Sequence, residues 1–129
     1  MTLAMKLNYI FWSSRPISWI NTAYPFAAAY FMVTRKIDLT LILGTMFFLI
    51  PYNLLMYGVN DVFDYESDLR NPRKGGIEGA LLPKEIHRTI IWSAILSCIP
   101  FVIYLLAVGN LNSSLWLALF VFTVVAYSA

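Results

Sequence analysis

The residues best suited to chemistry lie directly after a long apolar segment. Asp61, Asp64 and Asp68 are separated by three and then four residues, and Asn60 precedes them. In a continuous helix this spacing places all three carboxylates on one face, where their like charges repel each other. Oxygen ligands that converge in this way suit a hard dication such as magnesium. The spacing therefore predicts a magnesium site made by the three aspartates, which would be the catalytic residues.

Further polar residues extend this predicted site. Asn53 and Tyr57 continue the four-residue spacing backward from Asp61, so one face of the helix becomes polar as it leaves the apolar segment. An ordinary solvated acidic helix end is the alternative interpretation. The other candidate substrate-binding residues are Asn60, Arg15, Asn21, Arg73 and Lys74.

Three of these candidates, Arg73, Lys74 and Asn21, have a simpler explanation as well. In the functional interpretation, Arg15, Arg73 and Lys74 donate charge-assisted hydrogen bonds to a phosphate. Arg73 and Lys74 could instead serve only as orientation signals for membrane insertion. Asn21 could simply donate a hydrogen bond to another helix.

The composition indicates that a membrane surrounds most of the chain. Of the 129 residues, 60% are hydrophobic and 12% charged, and the mean hydropathy is +0.69. The net charge of +2 is small, and the basic residues lie between apolar segments, so nothing favours nucleic-acid binding. The single cysteine, Cys98, excludes a disulfide within the chain.

The apolar segments predict an all-α, multi-pass transmembrane helical bundle with about four spans. A cytoplasmic motif loop at 61–88 separates the second span from the third. The fourth has only fifteen residues before the sequence stops, so we expect it to be truncated. A cleaved signal peptide is the alternative for the first span, but Asn21 and Pro25 interrupt its apolar stretch. The predicted spans are residues 16–34, 39–60, 89–108 and 115–129.

Prolines define the expected helix boundaries. Pro51 lies inside the second span and should kink it, because proline cannot donate to the carbonyl of Phe47. The motif helix should continue through Asp68 and end before Pro72. A new helix should begin near Pro83.

Basic residues predict the orientation. Lys6 and Arg15 precede the first span, and five arginines and lysines lie in the motif loop, whereas only Arg35 and Lys36 lie between the first two spans. The positive-inside rule then places the amino terminus and the motif loop in the cytoplasm of a cell-membrane protein.

The string Asn60-Asp61-Val-Phe-Asp64-Tyr-Glu-Ser-Asp68 resembles the first aspartate-rich motif of the UbiA superfamily of intramembrane prenyltransferases. The match follows the pattern Asn-Asp-x-x-Asp-x-x-x-Asp at the end of the second span, and Arg15-Pro16 resembles the start of that family's first helix. The resemblance implies a UbiA-like fold and Mg²⁺ that chelates a prenyl diphosphate. It covers about the first half of a typical member, and a second aspartate motif belongs to the remaining part.

After the motif, the tract Arg70-Asn71-Pro72-Arg73-Lys74-Gly75-Gly76 departs from the commoner family pattern. This tract, together with Tyr65-Glu66-Ser67 inside the motif, resembles the carotenoid-modifying branch, the lycopene elongases. The resemblance implies transfer of a prenyl group to a lipophilic acceptor such as lycopene, with membrane lipid around the site. A quinone or aromatic acceptor remains an alternative. We expect residues 1–129 to be inactive alone, because one motif supplies only one wall of the cavity.

Two other functions compete with this interpretation. A CDP-alcohol phosphotransferase also uses spaced aspartates in a membrane helix, but its Asp-Gly and Ala-Arg elements are absent from this sequence. A non-catalytic membrane assembly subunit could use the acidic loop to dock a basic partner. Binding of a diphosphate with magnesium would distinguish an enzyme from such a subunit.

Overall fold

The computed structural model describes residues 1–70, 72 and 81–128, and this part of the chain is helical without a β-strand. The finding confirms the predicted all-α class. A 3₁₀ turn at Pro16–Ser18 and a π-helical turn at Leu54–Gly58 lie between the α-helices. These helices are α1 (Leu3–Ser13), α2 (Trp19–Thr34), α3 (Leu39–Leu49), α4 (Pro51–Asn53), α5 (Val59–Phe63), α6 (Tyr65–Asp68), α7 (Lys84–Val108) and α8 (Leu111–Ser128).

Within the described residues, three stretches of helix are long and apolar enough to cross a membrane. They are Leu39–Phe63, which combines α3, α4, the π-helical turn and α5, together with α7 and α8. This confirms a multi-pass membrane protein. The predicted first span corresponds to α2, which has 16 residues and a length of about 24 Å. That α2 crosses the membrane therefore stays a prediction.

The predicted turn at residues 109–114 is too long, because α8 begins at Leu111. The reason is a reciprocal cap. The backbone N–H of Ser113 donates to Asn110 Oδ1 at 2.9 Å, and the backbone N–H of Asn110 donates to Ser113 Oγ at 3.0 Å. These bonds supply partners for the first turn of α8 and allow the helix to start four residues before the predicted Leu115.

Helix α1 was not predicted, and it packs beside the motif. Thr2 caps it by accepting a hydrogen bond from the Met5 backbone N–H at 3.2 Å. Tyr9 and Ile10 contact a buried cluster formed by Leu82, Ile86 and Ile90 at the start of α7. Val62 of the motif segment packs against the same cluster, so α1 lies beside the motif.

The span that carries the motif is interrupted at Ile50 (φ −103°, ψ −54°), one residue before Pro51, which confirms the predicted kink. A π-helical turn follows at Leu54–Gly58. Ser128 Oγ of α8 donates to the carbonyl of Met56 inside this turn at 2.6 Å. Irregular helix inside a membrane requires such internal donors, because lipid provides none.

Helices α2 and α3 pack closely at Gly44. A Cβ atom at this position would overlap the ring of Phe26. The absent side chain therefore lets an aromatic ring of α2 rest directly on the α3 backbone.

Asp38 lies in the loop between α2 and α3 and caps α3. Its Oδ1 accepts the backbone N–H of Leu41 at 3.0 Å, and both carboxylate oxygens accept the hydroxyl of Tyr30. The hydrogen bond from Leu41 is the main reason why the pKa of Asp38 lies below its ordinary value.

Candidate functional site

The motif helix breaks at Asp64, so the prediction of one continuous helix through Asp68 is wrong. Helix α5 ends at Phe63, Asp64 adopts φ −92° and ψ 13°, and α6 begins at Tyr65. Asp64 is exposed, whereas Asp61 and Asp68 are buried. A single face with three carboxylates would concentrate like charges, and the break moves one of them into solvent, where water screens it.

Asp61 and Arg15 form a largely buried ion pair. Arg15 Nη2 donates to Asp61 Oδ1 at 3.1 Å, and their side chains are 16% and 0% exposed. A carboxylate that is removed from water requires such partners, because desolvation of an isolated charge is costly. The structure therefore brings together two of the predicted site residues that are 46 positions apart in the sequence.

The backbone holds Arg15 in an unusual conformation. Arg15 has a left-handed backbone (φ 52°, ψ 71°) between α1 and the 3₁₀ turn. Trp19 Nε1 stabilises this corner by donating to the carbonyl and to the hydroxyl oxygen of Ser14 at 3.1 and 3.2 Å. Ser13 and Ser14 are both fully buried. The corner therefore directs the Arg15 side chain toward the motif from a tightly packed base.

Tyr57 belongs to the same cluster. The guanidinium of Arg15 lies 4.8 Å from the centroid of the Tyr57 ring. This contact places the negative face of an aromatic ring next to a cation. Arg15, Tyr57 and Asp61 thus meet at the motif, and Asn60 is half-buried next to Asp61 in the chain.

Two predicted substrate-binding residues, Asn53 and Asn21, lie elsewhere in the described structure. Asn53 is fully buried in a network with Thr22, Phe48 and Leu49. Asn21 is exposed on α2. Arg73 and Lys74 lie outside the described residues.

A second group of residues joins α6 to the start of α7, and the sequence interpretation missed it. The rings of Tyr65 and His87 meet edge to face with centroids 5.0 Å apart, and His87 Nε2 donates to the carbonyl of Leu82 at 2.8 Å. Lys84 Nζ lies 3.8 Å from Glu66 Oε1, and both side chains are well exposed. Glu66 therefore faces Lys84, as expected for a residue outside the aspartate spacing.

An apolar groove lies between α2, α3, α7 and α8. Its volume is about 610 Å³. Phe48, on its wall, precedes Asp61 by thirteen residues, which corresponds to roughly 20 Å along a helix. The groove also includes Thr40, Gly109 and Ser113, so it lies toward the end of the spans opposite the motif. Its aromatic walls are formed by Phe26, Tyr30, Phe48, Trp116 and Phe120.

The carboxylate oxygens of the motif suit magnesium, although they would supply only part of its coordination shell. Among the residues that the structure describes, no three His, Cys, Asp or Glu side chains lie close enough together to hold a metal ion. Magnesium commonly binds one or two carboxylates and takes its other ligands from water and substrate phosphates. The buried carboxylates of Asp61 and Asp68 fit that pattern, with phosphate oxygens as the missing ligands.

No protein-family model matches the chain, and no solved structure matches it. A protein of Corynebacterium glutamicum named lycopene elongase/hydratase is 60% identical over 124 residues, which cover 96% of this chain and 43% of that protein. A protein of Haloferax volcanii with the same name is 32% identical over 131 residues, or 98% of this chain and 42% of that protein.

A third relative comes from Dietzia sp. and is named C(50) beta-cyclic carotenoids biosynthesis protein LbtBC. It is 58% identical over 123 residues, which cover 95% of this chain and 28% of that protein. The chain spans less than half the length of these curated relatives. Over almost its whole length, the chain is therefore similar to proteins whose names describe carotenoid biosynthesis and lycopene elongation.

Proposed function

We propose that the protein containing this chain is a UbiA-type, magnesium-dependent prenyltransferase that transfers a prenyl group from an allylic diphosphate to a carotenoid. The observation that carries this proposal is the buried Asp61 carboxylate, which pairs with Arg15 at the end of a membrane-spanning helix. Ionisable residues buried at the edge of a membrane usually mark function. The names of the relatives supply the class of acceptor.

Asp61 and Asp68 would hold the metal, with Asp64 available from the break between α5 and α6. Bound magnesium neutralises a diphosphate and stabilises the negative charge that develops on it as the leaving group. Asn60 would orient a carboxylate or phosphate oxygen beside Asp61. Arg15 would donate hydrogen bonds to phosphate, a role that suits the planar guanidinium.

Tyr57 would stabilise positive charge on the donor. Its ring already lies 4.8 Å from the guanidinium carbon of Arg15, which supports a role in facing a cation. When the carbon–oxygen bond to the diphosphate breaks, an allylic cation forms. Contact with an aromatic face is worth about 0.5 to 2 kcal/mol, depending on desolvation.

The acceptor would be a long apolar molecule such as lycopene, a linear polyene. An alkene carbon of the acceptor attacks the allylic cation, a carbon–carbon bond forms, and the positive charge moves to the neighbouring acceptor carbon. Loss of a proton ends the reaction as elongation, whereas addition of water followed by loss of a proton gives an alcohol. The second outcome accords with the word hydratase in the relatives' names.

The predicted orientation belongs to the same proposal. The amino terminus and the loop that carries Asp64 would face the cytoplasm, where water-soluble diphosphates and magnesium are available. The acceptor would reach the site from the membrane lipid, through the apolar interior of the bundle.

The test uses membranes that contain the complete protein, labelled dimethylallyl diphosphate and lycopene. We expect label in a prenylated carotenoid when magnesium is present, and its loss with a chelator or with Asp61→Asn. Label in a quinone precursor alone would contradict the carotenoid acceptor and leave prenyl transfer standing. Absence of any labelled lipid would contradict prenyl transfer itself.

A further inference from the structure

Arg15 and a metal ion would require the same carboxylate. Asp61 is fully buried, and Arg15 Nη2 already lies 3.1 Å from its Oδ1. We propose that the Arg15–Asp61 ion pair blocks metal binding until a diphosphate draws the guanidinium away. This inference rests on the proposed function and adds an order of events to it: the metal binds tightly only together with the diphosphate.

The guanidinium has donors left for a second anion. Arginine carries five N–H donors in one plane, and the described structure assigns one of them to Asp61. Nε of Arg15 is buried and has no hydrogen-bond partner among the described residues. Because phosphate accepts two parallel hydrogen bonds from arginine, it can compete with Asp61 for this side chain.

The backbone corner at Arg15 is held in place, so the side chain can move more easily than the backbone. Its left-handed conformation is unfavourable for a residue with a Cβ atom. The two hydrogen bonds from Trp19 to Ser14 hold the corner in place. The guanidinium can therefore exchange partners by rotation about its side-chain bonds without movement of the corner.

Electrostatics makes the two binding events cooperative. A metal that binds alone must displace Arg15 from Asp61 and then lie beside an arginine that has lost its counter-charge. A diphosphate removes both penalties, since its oxygens bind the metal and the guanidinium together. A coupling of this kind commonly changes affinity by about 5- to 150-fold.

The experiment measures binding of Mn²⁺, a paramagnetic substitute for magnesium, to the complete purified protein with and without inorganic pyrophosphate. We expect Arg15→Gln to bind Mn²⁺ alone about tenfold more tightly than the wild type, with a smaller gain from pyrophosphate. Arg35→Gln is the matched control, because Arg35 also has a left-handed backbone (φ 56°) but lies at the far end of α2. This control should bind like the wild type.

Arg15→Lys separates charge from shape. Lysine keeps the positive charge, so Mn²⁺ alone should bind weakly, as it does to the wild type. It lacks the planar fork, so pyrophosphate should increase the affinity less. In an Asp61→Asn background, the further change Arg15→Gln should have no effect on Mn²⁺ binding.

Any one of three outcomes would contradict the proposal that the Arg15–Asp61 ion pair blocks metal binding. Arg15→Gln could bind Mn²⁺ alone with wild-type affinity, Arg15→Lys could behave like Arg15→Gln, or Arg35→Gln could show the same gain. Any of these results leaves the proposed prenyl transfer intact, provided that Mn²⁺ binds together with pyrophosphate. If the wild type binds no Mn²⁺ even with pyrophosphate, both the block and the proposed function are wrong.

Discussion

The side-chain amide of Asn53 donates to the hydroxyl oxygen of Thr22, 31 residues earlier, at 2.8 Å. The Thr22 hydroxyl in turn donates to the carbonyl of Phe48 at 2.6 Å, and Asn53 Nδ2 also reaches the carbonyl of Leu49 at 2.7 Å. These carbonyls lie just before the interruption at Pro51. Side chains from two helices therefore provide donors at the break, where lipid could not.

Asn53→Ala should lower the free energy of unfolding by about 1 to 3 kcal/mol, because buried carbonyls lose donors. Thermal unfolding in detergent measures this change. Asn21→Ala is the matched control, since Asn21 lies exposed on α2 and its replacement should change stability by less than about 0.5 kcal/mol. Equal effects of the two substitutions would contradict the structural role of Asn53.

Gly44→Ala should destabilise the protein by about 1 to 3 kcal/mol, because overpacking displaces a neighbouring group. The group in question is the Phe26 ring, which the new methyl group would overlap. Phe26→Leu provides more room, so the double variant should recover part of the loss. Unfolding measurements on both single variants and the double variant test this coupling, and strict additivity would count against the contact.

Asp61→Asn should reduce turnover by about 100-fold or more, the usual cost of removing a group that stabilises developing charge. Asp64→Asn should also cause a large loss. Glu66→Gln should retain activity within about twofold, because Glu66 is exposed and contacts Lys84. Rates of labelled prenyl transfer by the complete protein measure these effects, and a loss for Glu66→Gln equal to that for Asp64→Asn would refute the assignment.

The cap of α3 should weaken in acid. The pKa of Asp38 is lower in the folded protein than its ordinary value, so its stabilising contribution is present above about pH 3.9. It is lost as the pH falls through the folded value. The protection of the Leu41 amide from hydrogen exchange, relative to an unstructured peptide at the same pH, should therefore fall at low pH. Asp38→Asn keeps a capping oxygen without a charge and should remove this pH dependence, and its persistence would contradict the cap.

The orientation can be tested with single cysteines in a Cys98→Ala background. Ser67 lies in α6 and Asn112 near the start of α8, and both residues are exposed. An impermeant thiol reagent added to intact cells should label Asn112→Cys and leave Ser67→Cys unlabelled until the cells are opened. The reverse pattern would invert the predicted orientation.

Local signals in the sequence predicted much of the fold. Pro83 indicated the start of α7, and the helix begins at the next residue, Lys84. Pro51 indicated the break in the second span, which the structure contains. Apolar length alone predicted spans at 39–60, 89–108 and 115–129, which overlap the apolar helices Leu39–Phe63, α7 and α8. Each of these features depends on residues that are close in the sequence.

The features that the sequence did not predict depend on distant partners. Asn53 was assigned to the substrate site because of its four-residue spacing, but Thr22 and two carbonyls hold it inside the bundle. The contact of Arg15 with Asp61 joins a backbone corner to the motif, and no periodicity encodes it. The break at Asp64 also escaped prediction, because the burial of Asp61 and Asp68 depends on the packing of neighbouring helices.

The π-helical turn at Leu54–Gly58 affects the direction in which the side chains after it point. Such a turn inserts an extra residue into an α-helix, and each residue advances a helix by about 100°. If the same residues tightened into regular α-helix without a deletion, Asp61 would rotate by roughly that angle relative to α3. The carboxylate would then point away from Arg15 although its neighbours in the sequence were unchanged. The direction in which the Asp61 carboxylate points is thus set by one additional residue, several positions before the first aspartate.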